Sequence, residues 1–546
     1  MKLRKMVALG LTVITTFAMV ACGSNSGTTD NTNTAGETGE ASTAPTASNI
    51  FDANVDPDNT EKSDEQIVIQ LTSEPSGLWA GGTGKQENEC VIIGSALFDT
   101  LVHVDRNTGD VLPALASEWE WIDDTHCKFT LRDDVIMSDG SPLVADDVVY
   151  CVNTWMQQSP NTDTGRFLSG AVADDEHTVT IEFNTTAPDF LNLLAWGNFG
   201  IVSEDEVNAL GGYEAADKNP VMGSGKYRFK EWVNGQYILL ERNDDYWDDN
   251  YVGYFKEIKL VFIQDPAARA MSILSGDAQV AYNMPINTAA TYAGNEEINL
   301  IVHGFGQNTR LWYNMGPNAG ATSDIRVRQA IDKALNFDAI AQVGTGGFGT
   351  EVHGYFPDDS IYYNETFTAE ERAVDIEGAK ALLEEAGYGD GLDLTLVGMQ
   401  DQEQVFTVIQ DNLSQVGINV TIEILDTPAF VGAANSGDYD LIHVGDMVDA
   451  RYPAICTFFR QSSIDTFCIG GAKWTTPEIE EILDKLIQEP DETKAKEYAK
   501  EFEDLVKESM PFSNTFPEMY ANMTSKDIKG YKTLERGYID ITSLYK

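Results

Sequence analysis

Residues 392–425 read LDLTLVGMQDQEQVFTVIQDNLSQVGINVTIEIL, and this stretch carries two different hydrophobic periods. Leu392 to Val397 reads as a strand. Glu403 to Gln415 has helical spacing and stops before Gly417, and Ile418 to Leu425 reads as a strand again. A strand, a helix and a strand in that order imply a crossover connection within one sheet. The fold class is therefore α/β.

The same signals recur on both sides. Upstream, Gln66 to Leu71 alternates as a strand, and Ser95 to Val104 reads as a helix end running into a strand. Lys128 to Leu131 is strand-like, Ala145 to Trp155 has helical spacing, and Thr178 to Phe183 alternates as a half-buried strand. Tyr227 to Glu241 reads as a hairpin around Asn234-Gly235, a strong turn pair. Ser323 is placed to cap one helix from Asp324 to Ala341, and Asp375 to Ala386 is a helix ended by Gly387. Downstream, Asp440 to Val444 reads as a strand. Thr476-Pro477-Glu478 opens a helix to Gln488, and Lys494 to Glu508 is a charged amphipathic helix. Strands scattered from beginning to end predict two interleaved lobes rather than a row of separate domains, and the chain is too long for one core.

The first residues read as an export address. Lys2, Arg4 and Lys5 precede an apolar stretch, Met6 to Met19, too short and too interrupted by Thr to remain as a spanning helix. Met19-Val20-Ala21-Cys22 resembles the lipobox of bacterial lipoproteins, which implies a signal peptide over 1–21 and lipidation of Cys22. Residues 22–64 are mostly small and polar and read as a disordered tether, since they cannot bury enough apolar surface to offset the entropy of ordering. A diacylated Cys22 supplies the two chains that stable anchoring requires. The expected location is the extracytoplasmic face of the cell membrane.

Composition excludes several functions. A formal charge of −51 with no Lys/Arg cluster argues against nucleic-acid binding. The acidity suits solubility at a cell surface. Beyond Cys22 the cysteines are Cys90, Cys127, Cys151, Cys456 and Cys468, too few for a disulfide scaffold and odd in number, so their pairing stays open. Neither a C-x-x-C nor a Cys/His metal pattern occurs, and no metal or cofactor is expected. Gly344 to Gly349 (GTGGFG) fits a dinucleotide fingerprint in letters only, because it follows a helix and precedes none. No nucleophile elbow or H-E-x-x-H motif appears, so an enzyme is not expected; a secreted hydrolase is the reading that peptide-turnover assays would separate.

Four blocks carry a resemblance. LFDTLVHVDRNTGDVLPALASEWEW (97–121), FTLRDDVIMSDGSPLVADDVVY (129–150), MGSGKYRFKEWVNGQYILLERNDDYWD (222–248) and SDIRVRQAIDKALNFDAIAQVGTGGFGTEVHGYFP (323–357) occur in order. Together they resemble family 5 of the solute-binding proteins of ABC importers, the oligopeptide- and dipeptide-binding group. The resemblance implies a two-lobed periplasmic-binding-protein-like fold (type II, cluster C with an extra subdomain). Lobe one would comprise 65–100, 220–300 and 515–546, an inserted subdomain 101–219, and lobe two 301–514. It further implies a monomer that closes on a peptide and docks on a permease with its ATPase.

The resemblance also points to site residues. A peptide's ammonium calls for a buried carboxylate. The family segment G-W-x-x-D-x-x-x-P matches Gly445 to Pro453, which puts Asp449 on the amine-binding aspartate, with Gly445 and Met447 beside it. Asp446 stands where the pattern has Trp. That departure removes an aromatic wall, adds a carboxylate, and favours a cationic ligand; a nickel chelate or an oligosaccharide is the other family alternative. Glu87 and Asn88 lie in the loop that the family turns toward the peptide's first residues. Trp79, Trp312 and Trp474 are candidate cleft walls, although aromatics are more often core.

Overall fold

The computed structural model describes residues 61–546, apart from 80, 82–87, 106–109, 159–166, 220–222, 250–252, 359, 447–458, 462–463, 465–471 and 535–536, and apart from the side chains of 305, 306 and 446. Its strands in chain order begin with β1 (Gln66–Leu71) and the short pair β2 (Val102–Val104) and β3 (Val111–Pro113). Next come β4 (Ala116–Asp123), β5 (His126–Leu131), β6 (Leu168–Asp175) and β7 (Thr178–Phe183), an antiparallel four-stranded sheet ordered β4-β5-β7-β6. The rest are β8 (Tyr227–Val233), β9 (Tyr237–Arg242), β10 (Glu257–Phe262), β11 (Val280–Met284), β12 (Ile298–Tyr313), β13 (Leu392–Met399), β14 (Ile418–Leu425), β15 (Leu441–Asp446) and β16 (Phe512–Ser525). These, with β1, make a ten-stranded sheet ordered β14-β13-β15-β12-β16-β11-β1-β10-β9-β8.

Two strands hold this sheet together. The first part of β12 pairs with the last part of β16 (Ile298 with Ser525, Val302 with Ala521), beside β11. The last part of β12 pairs with the first part of β16 (Trp312 with Phe512) and with β15 (Tyr313 with Leu441). The register shifts between Gly304 and Asn308 and again between Thr309 and Arg310, so the ladder is broken in the middle of both long strands.

The apolar cores divide at that break. Side chains alternate across each strand, so each half of the sheet has two faces to cover. On the β1 side, Ile67, Ile69, Ile258, Leu260 and Tyr282 join one cluster, while Ala281, Leu300, Ala521 and Met523 join another. On the β13 side, Trp312, Val397 and Ile442 face one cluster and Leu311, Leu396 and Leu441 the opposite one. The four-stranded sheet shares the first cluster through Cys127, Phe129, Val179 and Ile181. Two lobes sharing two strands are the result, their cores distinct except that Ile487 joins the first cluster.

Most local readings hold. The hairpin forms with Gly235 at φ 70°, a left-handed position suited to glycine. Residues 392–425 fold as β13, the helix Glu403–Ser414 and β14, and β13 pairs parallel to β14. Two readings change. The single helix from Asp324 to Ala341 is two, Ile325–Ala334 and Phe337–Gly344, because the Asn336 side chain accepts from the Ala339 N–H and caps a new start; the first cap is Asp324, not Ser323. The strand read as ending at Val444 runs on through Gly445 and Asp446, which pair with Thr309 and Asn308.

The glycines of the 222–248 block have a packing reason. The buried helix Asn88–Leu97 ends against them, and a Cβ on Gly225 would stand 2.5 Å from the Ala96 carbonyl oxygen. Gly225→Ala is expected to cost about 1–3 kcal/mol through this overpacking. A thermal melt should show the loss, and an unchanged midpoint would contradict the close approach.

Candidate functional site

Strand direction locates the site. β1 runs parallel to β10 and β11, and β13 runs parallel to β14 and β15. Gln70 of β1 is level with Ala281 of β11, Met284 with Ala521 of β16, and Ala521 with Val302 of β12. The carboxyl ends of β1 and β11 therefore point along β12 toward its break at Gly304. From the other lobe, β15 ends at Asp446, opposite Asn308 on the far side of the same break. Carboxyl ends of parallel strands are where open α/β sheets take their ligands, and here two sets face one segment. β16 is buried along its length except at Pro517, Glu518 and Met519 and its final residue, and Gly304 across from Met519 is exposed. Solvent reaches the sheet where the lobes meet.

The wall on the β1 side is aromatic and polar. Asn88 opens the helix after β1 and its Nδ2 donates to the Tyr520 hydroxyl at 3.3 Å. The Tyr520 ring stacks near His303 (centroids 6.2 Å, 12° between planes) and near Tyr282 (6.3 Å, 26°). The Tyr282 hydroxyl is buried and finds no hydrogen-bond partner among the described residues, and burial holds its pKa well above the usual tyrosine value. Such an unmet group costs about 1–3 kcal/mol, so it is an available donor. The neighbouring Asn283 sits at φ 50°, an uncommon conformation for a non-glycine residue. It is held there because its N–H donates to Asn522 Oδ1 (2.8 Å) and its carbonyl accepts from the buried Arg269 (3.2 Å). Asn522 in turn donates to Tyr531 (2.6 Å), which hydrogen-bonds His303 (3.2 Å).

On the β15 side, Gly445 is the decisive position. A Cβ there would lie 2.9 Å from Glu518 Oε2 and 3.8 Å from Gln307 Oε1. Glycine at 445 thus lets the half-buried Glu518 carboxylate rest against β15. Beneath it, Thr309 and Thr515 share a hydrogen bond of 2.9 Å, and Thr515 also meets His443 Nε2 at 3.1 Å. His443 Nδ1 is 2.6 Å from Gln402 Oε1, which fixes the ring. Complete burial pushes the His443 pKa down to about 3, so the ring stays neutral. Arg310 lies between the rings of Tyr355 and Phe512, 4.3 Å from each, and donates to the Tyr355 carbonyl (2.7 Å) and to Asn514 Oδ1. Burial raises Glu503 to about 7, and it accepts the Tyr355 N–H at 3.0 Å.

Of the residues expected from sequence, Asn88 and Gly445 stand at opposite edges of this segment. The Asp446 backbone pairs with Asn308 at the last rung of β15. Asp449, Met447, Glu87, Cys22, Cys456 and Cys468 lie outside the described residues. Trp79 and Trp312 are fully buried in the cores. Cys90 is buried, and Cys127 and Cys151 are buried thiols. Among the described residues no His, Cys, Asp and Glu group is arranged to hold a metal ion, and no helix is long and apolar enough to cross a membrane. Sequence reading missed Glu518, Tyr282 and Tyr520. The strand of Glu518 and Tyr520, FSNTFPEMYANMTS, carries a proline that argues against a central strand, yet Pro517 falls at the register break opposite Asn308.

Two cored lobes joined by a pair of crossing strands, with strand ends of both facing the join, define a two-lobed solute-binding protein. The family model of bacterial extracellular solute-binding proteins, family 5 (middle region), matches residues 110–462. The chain belongs to that family. It is 25% identical over 424 residues to the periplasmic murein peptide-binding protein MppA of Escherichia coli, covering 71% of this chain and 76% of that protein. It is likewise 25% identical over 446 residues to the periplasmic oligopeptide-binding protein OppA of Salmonella typhimurium, covering 76% and 80%. Two solved structures share the fold. A dipeptide-binding protein from a Pseudoalteromonas species, in complex with Met-Leu, has a TM-score of 0.76 at 20% identity and covers 88% of this chain and 100% of its own. DppA from Helicobacter pylori, in complex with peptide STSA, has a TM-score of 0.74 at 20% identity, covering 88% and 98%.

His443 gives a pH prediction. Its folded pKa lies below its ordinary value of 6.5, so the stability it supplies is complete above 6.5 and is lost as pH falls below it. His443→Gln should lower the melting temperature at pH 8. The gap between wild type and variant should narrow steadily from pH 6.5 down to 4. A gap that stays constant with pH would contradict a neutral, buried ring.

Proposed function

We propose that this chain is the peptide-capturing receptor of an ABC importer, held at the extracytoplasmic membrane face through Cys22. It closes its lobes on a peptide and delivers the closed form to a permease whose ATPase supplies the energy. Docking need only prefer the closed, liganded state. In this reading lobe one comprises 65–100, 220–300 and 515–546, its inserted subdomain 101–219 and lobe two 301–514, a division supported by the change of core along β12 and β16. The relatives named for peptide binding support peptide as the ligand class.

The observation that carries this reading is the half-open segment between the two lobes, lined by backbone ends from both and by the Glu518 carboxylate. Asp449 is the proposed ammonium partner, flanked by Gly445, Asp446 and Met447. Asn88, with Glu87, is the proposed contact from lobe one, and the unmet Tyr282 hydroxyl is a donor for a peptide carbonyl. Capture is binding without turnover. A second reading, a ligand with additional positive charge such as a peptide with a basic first residue or a cationic small molecule, is favoured by two observations: an aspartate at 446 in the aromatic's place, and Glu518 against Gly445.

Native mass spectrometry of the purified protein tests the reading. A released mass matching a peptide is the expected result, and a released non-peptide solute or measurable hydrolysis of a peptide library would overturn it. With the ligand in hand, Asp449→Ala should weaken binding by about 2–5 kcal/mol by calorimetry. Unchanged affinity would remove Asp449 from the site.

A further inference from the structure

The lobes also touch away from the crossing strands. Tyr362 belongs to the apolar cluster of lobe two, with Tyr355, Phe356 and Ile442. Its hydroxyl donates to Asp189 Oδ2 at 3.2 Å. Asp189 belongs to the inserted subdomain and immediately precedes the short helix Phe190–Leu194, whose Phe190, Leu191 and Leu194 lie in the lobe-one cluster. An aspartate at a helix start ordinarily accepts from that helix's own N–H groups. Here its side chain makes no such cap bond, and it accepts from Tyr362, 173 positions away.

A second, apolar contact also joins lobe two to the lobe-one cluster. The helix Pro477–Gln488 buries Ile479, Ile482, Leu483 and Leu486 in the lobe-two cluster, but Ile487, 5% exposed, belongs to the cluster that holds Phe190 and Leu191. The segment bearing Tyr362 is also firmly mounted. The Tyr355 carbonyl accepts from Arg310 (2.7 Å) and Asn308 (3.3 Å), both on β12 just past the break. Tyr362 then packs on Phe356, with centroids 5.6 Å apart.

We propose that Asp189, Tyr362 and Ile487 form a clasp between lobe one, with its inserted subdomain, and lobe two, which holds the lobes closed and sets the rate of ligand release. It rests on the capture reading for its purpose and on these contacts for its existence. The subdomain is thereby a positioning element of closure. Opening about the crossing strands separates a hydroxyl from a carboxylate and exposes Ile487, so release has to break the clasp and capture re-forms it. A charge-assisted bond of this kind changes an equilibrium roughly tenfold.

The test compares wild type, Tyr362→Phe, Asp189→Asn and the double variant as full ligand-free chains, by distance measurement between probes at exposed Val172 in the subdomain and Val374 in lobe two. Both single variants should shift the distribution toward longer distances, the double variant should go no further, and far-ultraviolet circular dichroism should be unchanged. Distributions identical to wild type, or two independent additive shifts, would overturn the clasp. In a second arm, dissociation of Ala-Ala-Ala is followed by fluorescence. The variants should release it roughly tenfold faster at unchanged association rate, and equal release rates would overturn the kinetic role. If wild type takes up no tripeptide, the capture reading fails while the distance measurement still decides the clasp.

Discussion

Everything in this molecule depends on β12 and β16 being shared. Each strand contributes side chains to both lobes: Leu300 and Ile301 before the break and Leu311 and Trp312 after it on β12, Phe512 and Phe516 before it and Tyr520 and Met523 after it on β16. A strand with its halves in different cores cannot slide, because a shift of one residue would turn every side chain to the wrong face. It can bend where the ladder is broken, between Gly304 and Asn308. Two register shifts lie close together there, between Gly304 and Asn308 and between Thr309 and Arg310, and on the proposed capture reading this stretch is the hinge.

The chemistry gathers at the gap for the same reason. Between the Gly304–Met519 and Asn308–Pro517 pairs β12 carries three residues and β16 only Glu518, so the ladder is interrupted there. The break leaves Glu518 half-buried beside Gly445, with the ends of β1, β11 and β15 around it. Behind these groups the support is rigid. Asn283 is held left-handed by Arg269 and Asn522, and His443 is locked between Gln402 and Thr515. On the proposed capture reading, closure is a rotation of preformed walls, with buried polar bonds kept in the walls and movement kept in the crossing strands.

What the sequence disclosed follows from how local each feature is. Residues 392–425 and the Asn234-Gly235 hairpin were legible because their periods and turn residues lie within one short stretch. The break at Asn336 was hidden because the apolar spacing of 325–340 continues across it, while one side chain decides the cap. β16 was hidden because its residues Ser513, Asn514 and Thr515 are polar yet buried, satisfied by Asp332, Arg310 and Thr309 from far along the chain. Asn88 and Gly445 were reached only through family blocks. Glu518 and Tyr282 acquire their setting from pairing across the sheet, which no local pattern records.

The most direct measurement of the central claim is a crystal structure of the protein as purified, with whatever ligand it retains. The account predicts ligand density between the β1–β11 ends and the β15 end, with contacts from both lobes and a carboxylate of the 445–449 segment or Glu518 within hydrogen-bond reach of a cationic group. Density at any other surface, or a ligand touching one lobe alone, would contradict it.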